Sequence, residues 1–382
     1  MDTVYIHRLI EPKLHAALQR GKSVLLLGAR QTGKTTLISK IPVQLAISFI
    51  NPAVRQRYEQ NPALLIGEVE ALAETTKHRP IVVIDEIQKV PEILDSVQDL
   101  IDRHIAQFIL TGSSARKLRN GVKVNLLPGR VVALKLDPLT FKEITANNIN
   151  INALLTYGTL PGIFTTAELK DREIDLLSYV STYLEDEIRS EAIVRNVAAF
   201  GRFLTLAAEE SGEIVNFSKL SQEIGVAHTT IASYYQILED CLIAERIDPF
   251  IKTKFRRKLI KTSKYLFFDL GVKQACSEDS INIAPRELGK LFEQWVGLEL
   301  IRYARLSEIK TKIYFWRDAD GPEVDWVIVK NNVLIPIEVK WTDKPKINDA
   351  KHLSVFLHEY ANSNKAYIVC QVPRMLKLAD NI

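Results

Sequence analysis

Residues 23–36 read SVLLLGARQTGKTT, and this stretch decides the fold that the rest of the sequence predicts. The apolar run at its start is typical of a buried parallel strand, and Thr36 begins a stretch that is compatible with a helix. Between them, residues 28–35 fit G-x-x-x-x-G-K-[ST], the pattern of a phosphate-binding loop (P-loop). A strand–loop–helix unit brings backbone N–H groups and the positive end of a helix dipole to one point, where they attract phosphate.

The individual positions of this loop predict a site for ATP and Mg²⁺. Gly28 and Gly33 allow the tight turn, Lys34 is expected to reach the β- and γ-phosphates, and Thr35 is expected to hold Mg²⁺ through its hydroxyl. The alternative is a βα turn with a chance lysine, which the flanking strand and helix disfavour. The predicted nucleotide-binding residues are Gly28, Ala29, Arg30, Gln31, Thr32, Gly33, Lys34, Thr35 and Thr36.

Length and composition exclude several classes of protein. The 382 residues are 47% hydrophobic and 25% charged, as in an ordinary globular protein of two or three domains. No apolar run approaches the roughly 18 residues of a membrane helix, and the start MDTVYIHRLI lacks the pattern of a secretory signal. The three widely spaced cysteines indicate a reducing compartment and no zinc site. We therefore expect a cytoplasmic protein without a membrane partner.

A second nucleotide motif follows at residues 81–86, IVVIDE, where four strand-forming residues run into two acids. Asp85 at the strand end is expected to hold the Mg²⁺ shell, and Glu86 to orient or deprotonate the attacking water. The alternative is a strand that simply ends in acids. Three more strand-like runs, with helix-compatible stretches between them, predict a parallel sheet covered by helices; they lie at residues 46–50, 108–110 and 131–136. The acids thus follow the third strand, as in P-loop ATPases of the additional-strand class.

Two further positions lie beside predicted strands. The fourth strand ends in TGSS, and Ser113 there would lie between the two nucleotide strands, either as a γ-phosphate sensor or in a simple turn. Arg130 directly precedes the fifth strand, at the rim of the sheet. It is either an arginine finger for the nucleotide of a neighbouring subunit, which implies a homo-oligomer, or a loop cation.

Four segments carry a resemblance to a known family: GARQTGKTT, IVVIDEIQ, ILTGSSARKL, and LPGRV followed by LDPLTFKEI. They resemble a large prokaryotic family of AAA+-type ATPases whose members carry a C-terminal region long labelled a domain of unknown function. The likeness covers nearly the whole chain and implies an AAA+-like fold and ATP hydrolysis, and it is compatible with oligomerisation. It does not identify a second sensor arginine, for which the helical region offers Arg172, Arg189, Arg195 and Arg202.

Residues 213–280 predict a helix-turn-helix and a hairpin. A short helix ends at Gly225, and a second helix follows with Thr229 and Thr230 near its polar start. The hairpin connection is basic and contains no acid; its cations are Lys252, Lys254, Arg256, Arg257, Lys258, Lys261 and Lys264. The segment resembles a winged helix with a basic wing, which can bind DNA phosphates by releasing counterions. The alternative is a structural lid or protein-contact module.

Residues 281–382 contain a second group of candidate catalytic and metal-binding residues. The predicted order helix–strand–strand–strand–helix–strand, with Asp325 on one strand and EVK at the end of another, resembles the PD-(D/E)XK nuclease fold. Strand alternation puts Glu338 and Lys340 on one face, with Asp325 on the neighbouring strand and Glu293 on the preceding helix.

Clustered carboxylates bind Mg²⁺, and a nearby lysine positions water or stabilises a pentavalent phosphate. The predicted metal ligands of the chain are therefore Thr35, Asp85, Glu293, Asp325 and Glu338. The alternative is a nuclease-like fold that only binds. Pro336, inside the third strand of this region, predicts a strand edge or a bulge.

Together the patterns predict an α/β protein with an AAA+-like parallel sheet and a C-terminal α/β restriction-endonuclease-like domain. The predicted domains are a P-loop ATPase (1–140), a helical region (141–212), a winged helix (213–280) and the nuclease-like domain (281–382). The predicted function is a Mg²⁺-dependent ATPase coupled to DNA binding, with DNA cleavage left open. The alternative is an ATP-switched regulator that binds DNA or protein. The predicted catalytic residues are Glu86, Ser113, Arg130, Asp325, Glu338 and Lys340.

Overall fold

The computed structural model describes residues 5–114, 129–145, 149–184, 196–251, 259–277, 283–319 and 321–382. The chain divides into two compact units. The first comprises residues 1–139, 186–193 and 236–243, and the second comprises residues 140–185, 194–235 and 244–382. The finer division into four domains stays a prediction. Among the described helices, none combines the length and the apolar character needed to cross a bilayer.

The first unit is built on a parallel sheet. Its strands are β1 (Ser23–Leu27), β2 (Leu45–Ser48), β3 (Ile81–Asp85), β4 (Gln107–Gly112) and β5 (Val131–Lys135). They lie in the order β2-β3-β4-β1-β5, and the described pairings are all parallel. The three central strands β3, β4 and β1 are buried on both faces, which explains why they read as continuous apolar runs. Because β4 lies between β1 and β3, the additional-strand arrangement predicted from the sequence is confirmed.

Helices cover this sheet and complete its core. They are α1 (Glu11–Gln19), α2 (Lys34–Ile38), α3 (Pro52–Gln60), α4 (Leu64–Thr75) and α5 (Ile93–Asp102). Helix α5 shows the pattern that drives the packing, because Ile93, Val97 and Leu100 recur at helical spacing and are fully buried. They join one apolar cluster with Val82 of β3 and Phe108 of β4.

The second unit begins with helices, as the sequence predicts. They are α6 (Phe141–Ile144), α7 (Ile151–Tyr157), α8 (Pro161–Thr165), α9 (Leu169–Ser178), which continues into a π-helical turn, and α10 (Val197–Glu209). The helical segment is interrupted between α7 and α8. Gly158 has a φ of +71°, and a Cβ there would lie 2.0 Å from Asp269 Oδ1, so only glycine fits. Buried Asp269 accepts hydrogen bonds from the N–H groups of Thr159 (2.7 Å) and Val272 (3.2 Å).

The helices and strands of residues 213–280 have the order that the sequence predicts, and the winged-helix assignment stays a prediction. They are α11 (Phe217–Ile224), α12 (His228–Asp240), β6 (Ala244–Ile247), β7 (Lys264–Phe267) and α13 (Leu270–Cys276). Gly225 ends α11 with a φ of +77°. Strands β6 and β7 form an antiparallel pair, and Tyr235 stacks on Tyr265 with ring centroids 4.2 Å apart. The basic residues Lys252, Lys254, Arg256, Arg257 and Lys258 lie outside the described residues, as do Arg189 and Arg195.

The C-terminal elements have the predicted order. They are α14 (Pro285–Leu306), β8 (Thr311–Arg317), β9 (Glu323–Lys330), β10 (Val333–Val339), α15 (Lys351–Glu359) and β11 (Tyr367–Val369). The sheet order is β11-β10-β9-β8, antiparallel except for the parallel β10–β11 pair. Asn331 and Asn332, with φ of +49° and +63°, make the two-residue turn between β9 and β10. Gly297 lets α14 approach this sheet, because a Cβ there would lie 2.3 Å from Trp326.

Pro336 lies within β10, where a missing N–H would interrupt a central strand. Leu334 and Lys340 direct their N–H groups to the β11 side, so the nitrogen of Pro336 faces the same side. Strand β11 pairs with β10 only from Ile337 onward. Pro336 therefore stands just before that pairing begins, which is locally the edge position that the sequence predicts.

Candidate functional site

The P-loop connects the carboxyl end of β1 to the first residue of α2. Gly33 has a φ of +94° and directly precedes Lys34. A Cβ on Gly28 would lie 2.5 Å from the carbonyl oxygen of Leu136, so that position also requires glycine. Gln31 has a positive φ of 62°, which is uncommon for a residue with a side chain. The backbone thus has the tight turn that the motif predicts.

Lys34 is folded over the loop that carries it. Its Nζ donates hydrogen bonds to the carbonyl oxygens of Gly28 (2.7 Å) and Ala29 (3.1 Å). Thr32 Oγ1 donates to the same Ala29 carbonyl at 2.9 Å. A buried ammonium group needs hydrogen-bond acceptors. In this structure the two loop carbonyls are those acceptors, and phosphate oxygens can accept the same hydrogen bonds.

Asp85 ends β3 and is fixed from both neighbouring strands. Ser48 Oγ on β2 donates to Asp85 Oδ2 at 3.1 Å, and Thr111 Oγ1 on β4 donates to Asp85 Oδ1. The carboxylate therefore lies at the carboxyl edge of the sheet, the same edge from which the P-loop leaves β1. This is the position that the sequence predicts for an acid of the Mg²⁺ shell.

Glu86 forms a buried hydrogen-bonded group with Ser113 and Gln88. Ser113 Oγ donates to Glu86 Oε2 at 2.9 Å, and Gln88 Nε2 donates both to Glu86 Oε2 and to Ser113 Oγ, the latter at 3.1 Å. Glu86 has a φ of +58°, and its N–H donates to Thr111 Oγ1 at 3.2 Å. The structure therefore brings the predicted base and the predicted sensor together. The sequence interpretation missed the role of Gln88 in this group, although Gln88 lies only two residues beyond Glu86.

Arg8 is a second residue that the sequence interpretation missed. Its guanidinium is buried and donates to the carbonyl oxygens of Thr32 (2.8 Å) and Asp137 (2.6 Å). One side chain thus joins the P-loop to the segment after β5. No motif marks such a residue, because its acceptors are backbone carbonyls distant in sequence.

Arg130 lies at the other end of the sheet from the P-loop. It directly precedes Val131, which pairs with Ser23 at the start of β1. Its guanidinium makes two hydrogen bonds to Asp102, Nε to Oδ1 at 2.6 Å and Nη2 to Oδ2 at 2.8 Å. Arg130 thus lies at the amino end of the β1–β5 pair, whereas the P-loop lies at its carboxyl end. The arginine-finger role stays a prediction.

The C-terminal hairpin brings the predicted carboxylates together. The register that pairs Trp326 with Ile337 brings Asp325 beside Glu338. Asp325 Oδ2 accepts a hydrogen bond from the N–H of Val339 at 2.8 Å, and Lys340 Nζ donates to Glu338 Oε1 at 2.6 Å. Glu338 is 5% exposed, and its other oxygen, Oε2, is buried and accepts no hydrogen bond.

Glu293 reaches this hairpin from α14, together with a lysine. Lys264 Nζ lies 3.5 Å from Glu293 Oε1 and 5.1 Å from the centroid of the Phe315 ring. Burial and then the negative charge of Asp325 raise the pKa of Glu293 to about 7, while Lys264 acts in the opposite direction. We name Glu293, Asp325 and Glu338 the acid cluster. Lys264, which the sequence groups with the basic wing, lies at this cluster.

Burial and mutual repulsion set the protonation of the acid cluster. Burial, followed by the charge of Glu338, raises the pKa of Asp325 to about 7, and the two lysines lower it. Burial also raises the pKa of Glu338, against the hydrogen bond from Lys340. Burial disfavours the charged form of Lys340, but its contact with Glu338 outweighs this effect and raises its pKa.

The acid cluster has the oxygen donors that Mg²⁺ prefers, yet its present arrangement is not that of a metal site. Across the described part of the chain, no group of three or more His, Cys, Asp or Glu side chains is arranged so that it could hold a metal ion. Two of the cluster's oxygens already face Lys264 and Lys340. The metal-ligand roles of Glu293, Asp325 and Glu338, and the catalytic role of Lys340, stay predictions.

The predicted DNA-binding residues are only partly described. Thr229 is exposed and Thr230 is half-buried, and both lie in the first turn of α12. A polar, accessible helix start is what contact with nucleic acid requires. The DNA role of this helix, like that of the wing residues, stays a prediction.

Comparison with known proteins divides the chain into three matched regions. Residues 20–145 match the family model of an AAA domain. Residues 149–281 and 288–382 match two domains of unknown function, DUF8612 and DUF4143. The C-terminal match agrees with the region that the sequence resemblance implies.

Similar proteins occur in bacteria. An uncharacterised protein of Mycobacterium tuberculosis is 27% identical over 88% of this chain and 74% of its own length. One from Haemophilus influenzae is 25% identical over 75% of this chain and 71% of its own length.

The crystal structure of Cdc6p from Pyrobaculum aerophilum aligns over 71% of this chain and 94% of its own length. The sequence identity is 14% and the TM-score is 0.29, which is too low to support any conclusion. The motifs, the strand order and the family match together support the assignment of residues 20–145 as a P-loop domain of the AAA type.

Proposed function

We propose that this protein hydrolyses ATP with Mg²⁺ and that the nucleotide cycle is coupled to DNA binding. One observation carries the first part. Lys34, Asp85 and the Glu86–Ser113 pair all lie at the carboxyl ends of β1, β3 and β4, which are adjacent in the sheet. A cation for phosphate, an acid for Mg²⁺ and an acid for water thus share one edge.

The residues at this edge fit MgATP by their chemistry. The Thr35 hydroxyl and the Asp85 carboxylate are hard oxygen donors of the kind that Mg²⁺ prefers, and bound Mg²⁺ would neutralise negative charge on the phosphates. Gly28 lets the loop pass close to the carbonyl oxygen of Leu136, where a Cβ would clash. Lys34 exchanges the carbonyls of Gly28 and Ala29 for phosphate oxygens, so the ammonium group keeps its hydrogen bonds on binding.

Glu86 is the proposed general base, and its partners define how it works. The carboxylate is an acceptor that Ser113 and Gln88 hold in one orientation. A water that donates to the same carboxylate is oriented for attack and can transfer its proton there. Ser113, beside Glu86 and next to the P-loop strand, is placed to respond to the γ-phosphate.

Exchange of Lys34 for alanine tests this part. We expect ATP turnover by Lys34→Ala to fall at least about 100-fold, the scale seen when one preorganised donor to a developing charge is lost. Wild-type turnover in the variant would refute the assignment of the P-loop.

DNA is the proposed partner of the α11–α12 pair. The support is the short helix ended by Gly225, the accessible start of α12 at Thr229, and the acid-free basic run at residues 252–264. Fluorescence anisotropy with a labelled duplex at several salt concentrations tests the proposal. Reversing the charges of Lys252, Lys254 and Arg256 should weaken binding and flatten its salt dependence. Binding that is unchanged would favour a protein partner.

Phosphodiester cleavage is a second candidate function, and it concerns the C-terminal region. The observation that favours it is the convergence of Asp325 and Glu338 on adjacent strands, with Lys340 directly after the second strand and one buried Glu338 oxygen free of hydrogen bonds. Asp325→Ala and Lys340→Ala should abolish any cutting that wild type shows with Mg²⁺ or Mn²⁺. Absence of cutting by wild type would instead favour the regulator, in which this region only binds.

A further inference from the structure

We infer that Lys264 is a built-in cation of the acid cluster and that it keeps a divalent metal ion out while it is in place. The inference rests on the proposed role of Glu293, Asp325 and Glu338 as a cation-binding group, and it does not depend on ATP hydrolysis. It explains why carboxylates that match a metal-binding pattern in sequence lack the arrangement of a metal site.

The backbone pairing of Lys264 directs its side chain towards the acid cluster. Lys264 begins β7, where it pairs with Ile247 of β6 on one side and with Ile214 on the other. Pairing on both sides fixes the direction in which the side chain leaves the strand. The side chain is 12% exposed, and its Nζ lies 3.5 Å from Glu293 Oε1.

An aromatic ring holds the ammonium group from a second direction. Lys264 Nζ lies 5.1 Å from the centroid of Phe315, a fully buried residue of β8. A cation over a ring face is favourable, and more so when it is partly desolvated. Lys264 is therefore kept at the cluster by a carboxylate and a ring, with little access to water.

The charges show what Lys264 does there. Three carboxylates face two ammonium groups, Lys264 and Lys340, and Lys264 acts on both Glu293 and Asp325. Without Lys264, three acids would share a single lysine. A divalent ion brought to the same oxygens would be repelled by Lys264, so lysine and metal ion compete for one group of ligands.

One carboxylate oxygen of the cluster has no hydrogen-bond partner. Glu338 Oε2 is buried and accepts no hydrogen bond in the structure. Buried carboxylate oxygens almost always have a partner. Since Lys340 already occupies Oε1 of the same carboxylate, the free oxygen is the position at which an incoming metal ion gains most.

Removal of the Lys264 charge tests the inference directly. We would titrate the full-length chain with Mn²⁺ alone, without nucleotide, by calorimetry. Lys264→Met should bind Mn²⁺ at least about tenfold more tightly than wild type, the change expected when a unit charge a few ångströms from a divalent ion is removed in a water-like dielectric. Asp325→Asn added to Lys264→Met should abolish the gain, which places the ion at the cluster.

Two variants control for charge and for the aromatic contact. Lys264→Arg keeps the charge and should leave Mn²⁺ affinity at the wild-type level. Lys330→Met removes a comparable lysine at the end of β9, whose Nζ lies 5.5 Å from the ring centroid of Tyr303 on α14, and should also leave the affinity unchanged. Lys264→Gln repeats the test should the methionine variant fail to fold.

Wild-type Mn²⁺ affinity in folded Lys264→Met or Lys264→Gln would overturn the inference, as would a gain that survives Asp325→Asn. The two tests fail separately, because the titration contains no nucleotide. An inactive P-loop would refute the proposed ATPase and leave the Mn²⁺ result standing.

Discussion

Ser113 Oγ donates a 2.9 Å hydrogen bond to Glu86 Oε2, across the ends of two neighbouring strands. Ser113 follows β4 and Glu86 follows β3, and β4 is the strand that separates β3 from the P-loop strand. Glu86 is only 7% exposed, so protein groups rather than bulk water determine where its carboxylate points. The proposed base is thus oriented from the strand that lies next to the P-loop strand.

Loss of the Ser113 hydroxyl should slow chemistry more than it weakens binding. We expect Ser113→Ala to lower kcat for ATP about tenfold, because Glu86 loses one of its two side-chain donors. The KM for ATP should change little. The neighbouring Ser114→Ala is the matched control, since Ser114 is also buried and its Oγ donates to the carbonyl oxygen of Asp240. A tenfold rise in KM with unchanged kcat would contradict the orienting role.

Arg8 should affect nucleotide binding through the shape of the P-loop. In Arg8→Ala the carbonyls of Thr32 and Asp137 lose their common donor. We expect the Kd for ATP to rise about tenfold, since a hydrogen bond from a charged group contributes about 1.5–3 kcal/mol. Equilibrium binding of a fluorescent ATP analogue measures the change. Arg20→Ala, which removes an exposed arginine whose guanidinium donates to the carbonyl oxygen of Ala16 in its own helix, should leave Kd unchanged.

Gly158 should be irreplaceable within the second unit. Alanine there would place its Cβ 2.0 Å from Asp269 Oδ1 at a φ of +71°, so either the backbone or the buried aspartate must move. We expect Gly158→Ala to cost at least about 2 kcal/mol of unfolding free energy. Gly162→Ala, in the same GTLPG segment, has no heavy atom within 4 Å of the added Cβ and should cost much less. Urea unfolding measures the unfolding free energy of both variants. Equal losses of unfolding free energy would contradict the claim that the contact with Asp269 requires glycine at position 158.

The acid cluster should make stability fall as pH rises. Burial and neighbouring charge raise the pKa of Glu293 from its usual 4.5 to about 7 in the folded chain. Stability that depends on its protonated form is therefore complete below about pH 4.5 and is lost as pH rises towards 7. Glu293→Gln should remove this loss, so the variant gains stability relative to wild type at pH 7 compared with pH 5.

Tryptophan fluorescence reports on this region, since all four tryptophans lie at residues 295–341. Urea unfolding at pH 5 and pH 7 measures the difference between wild type and Glu293→Gln. The exposed Glu308→Gln is the matched control and should follow wild type at both values. If Glu293→Gln instead loses stability relative to wild type between pH 5 and pH 7, the predicted direction of the pH dependence is wrong.

The nucleotide edge could be predicted from sequence because its chemistry depends on local order. A strand, a glycine turn and a lysine are adjacent in the chain, and Asp85 follows its own strand, so spacing alone places them. Gln88 and Arg8 could not be predicted in the same way. Gln88 depends on a turn that folds back onto Ser113, and Arg8 reaches carbonyls far along the chain.

Lys264 shows a second limit of sequence patterns. Its closeness to a run of basic residues suggests a wing contact, yet the pairing of β7 with β6 and Ile214 directs the side chain to Glu293. Charge runs describe a segment, whereas a strand sends alternate side chains to opposite faces. The hairpin of Asp325 and Glu338 was predictable because strand period and a two-residue turn fix its register.

The central claim is that this chain hydrolyses ATP with Glu86 as the base, and one measurement tests it most directly. ATP binding and steady-state ATP turnover are measured with Mg²⁺ for wild type and Glu86→Gln. The account predicts that the variant binds ATP within about threefold of wild type and turns it over at least about 100-fold more slowly, since the base and not the binding group is lost. Turnover by Glu86→Gln at the wild-type rate would contradict it.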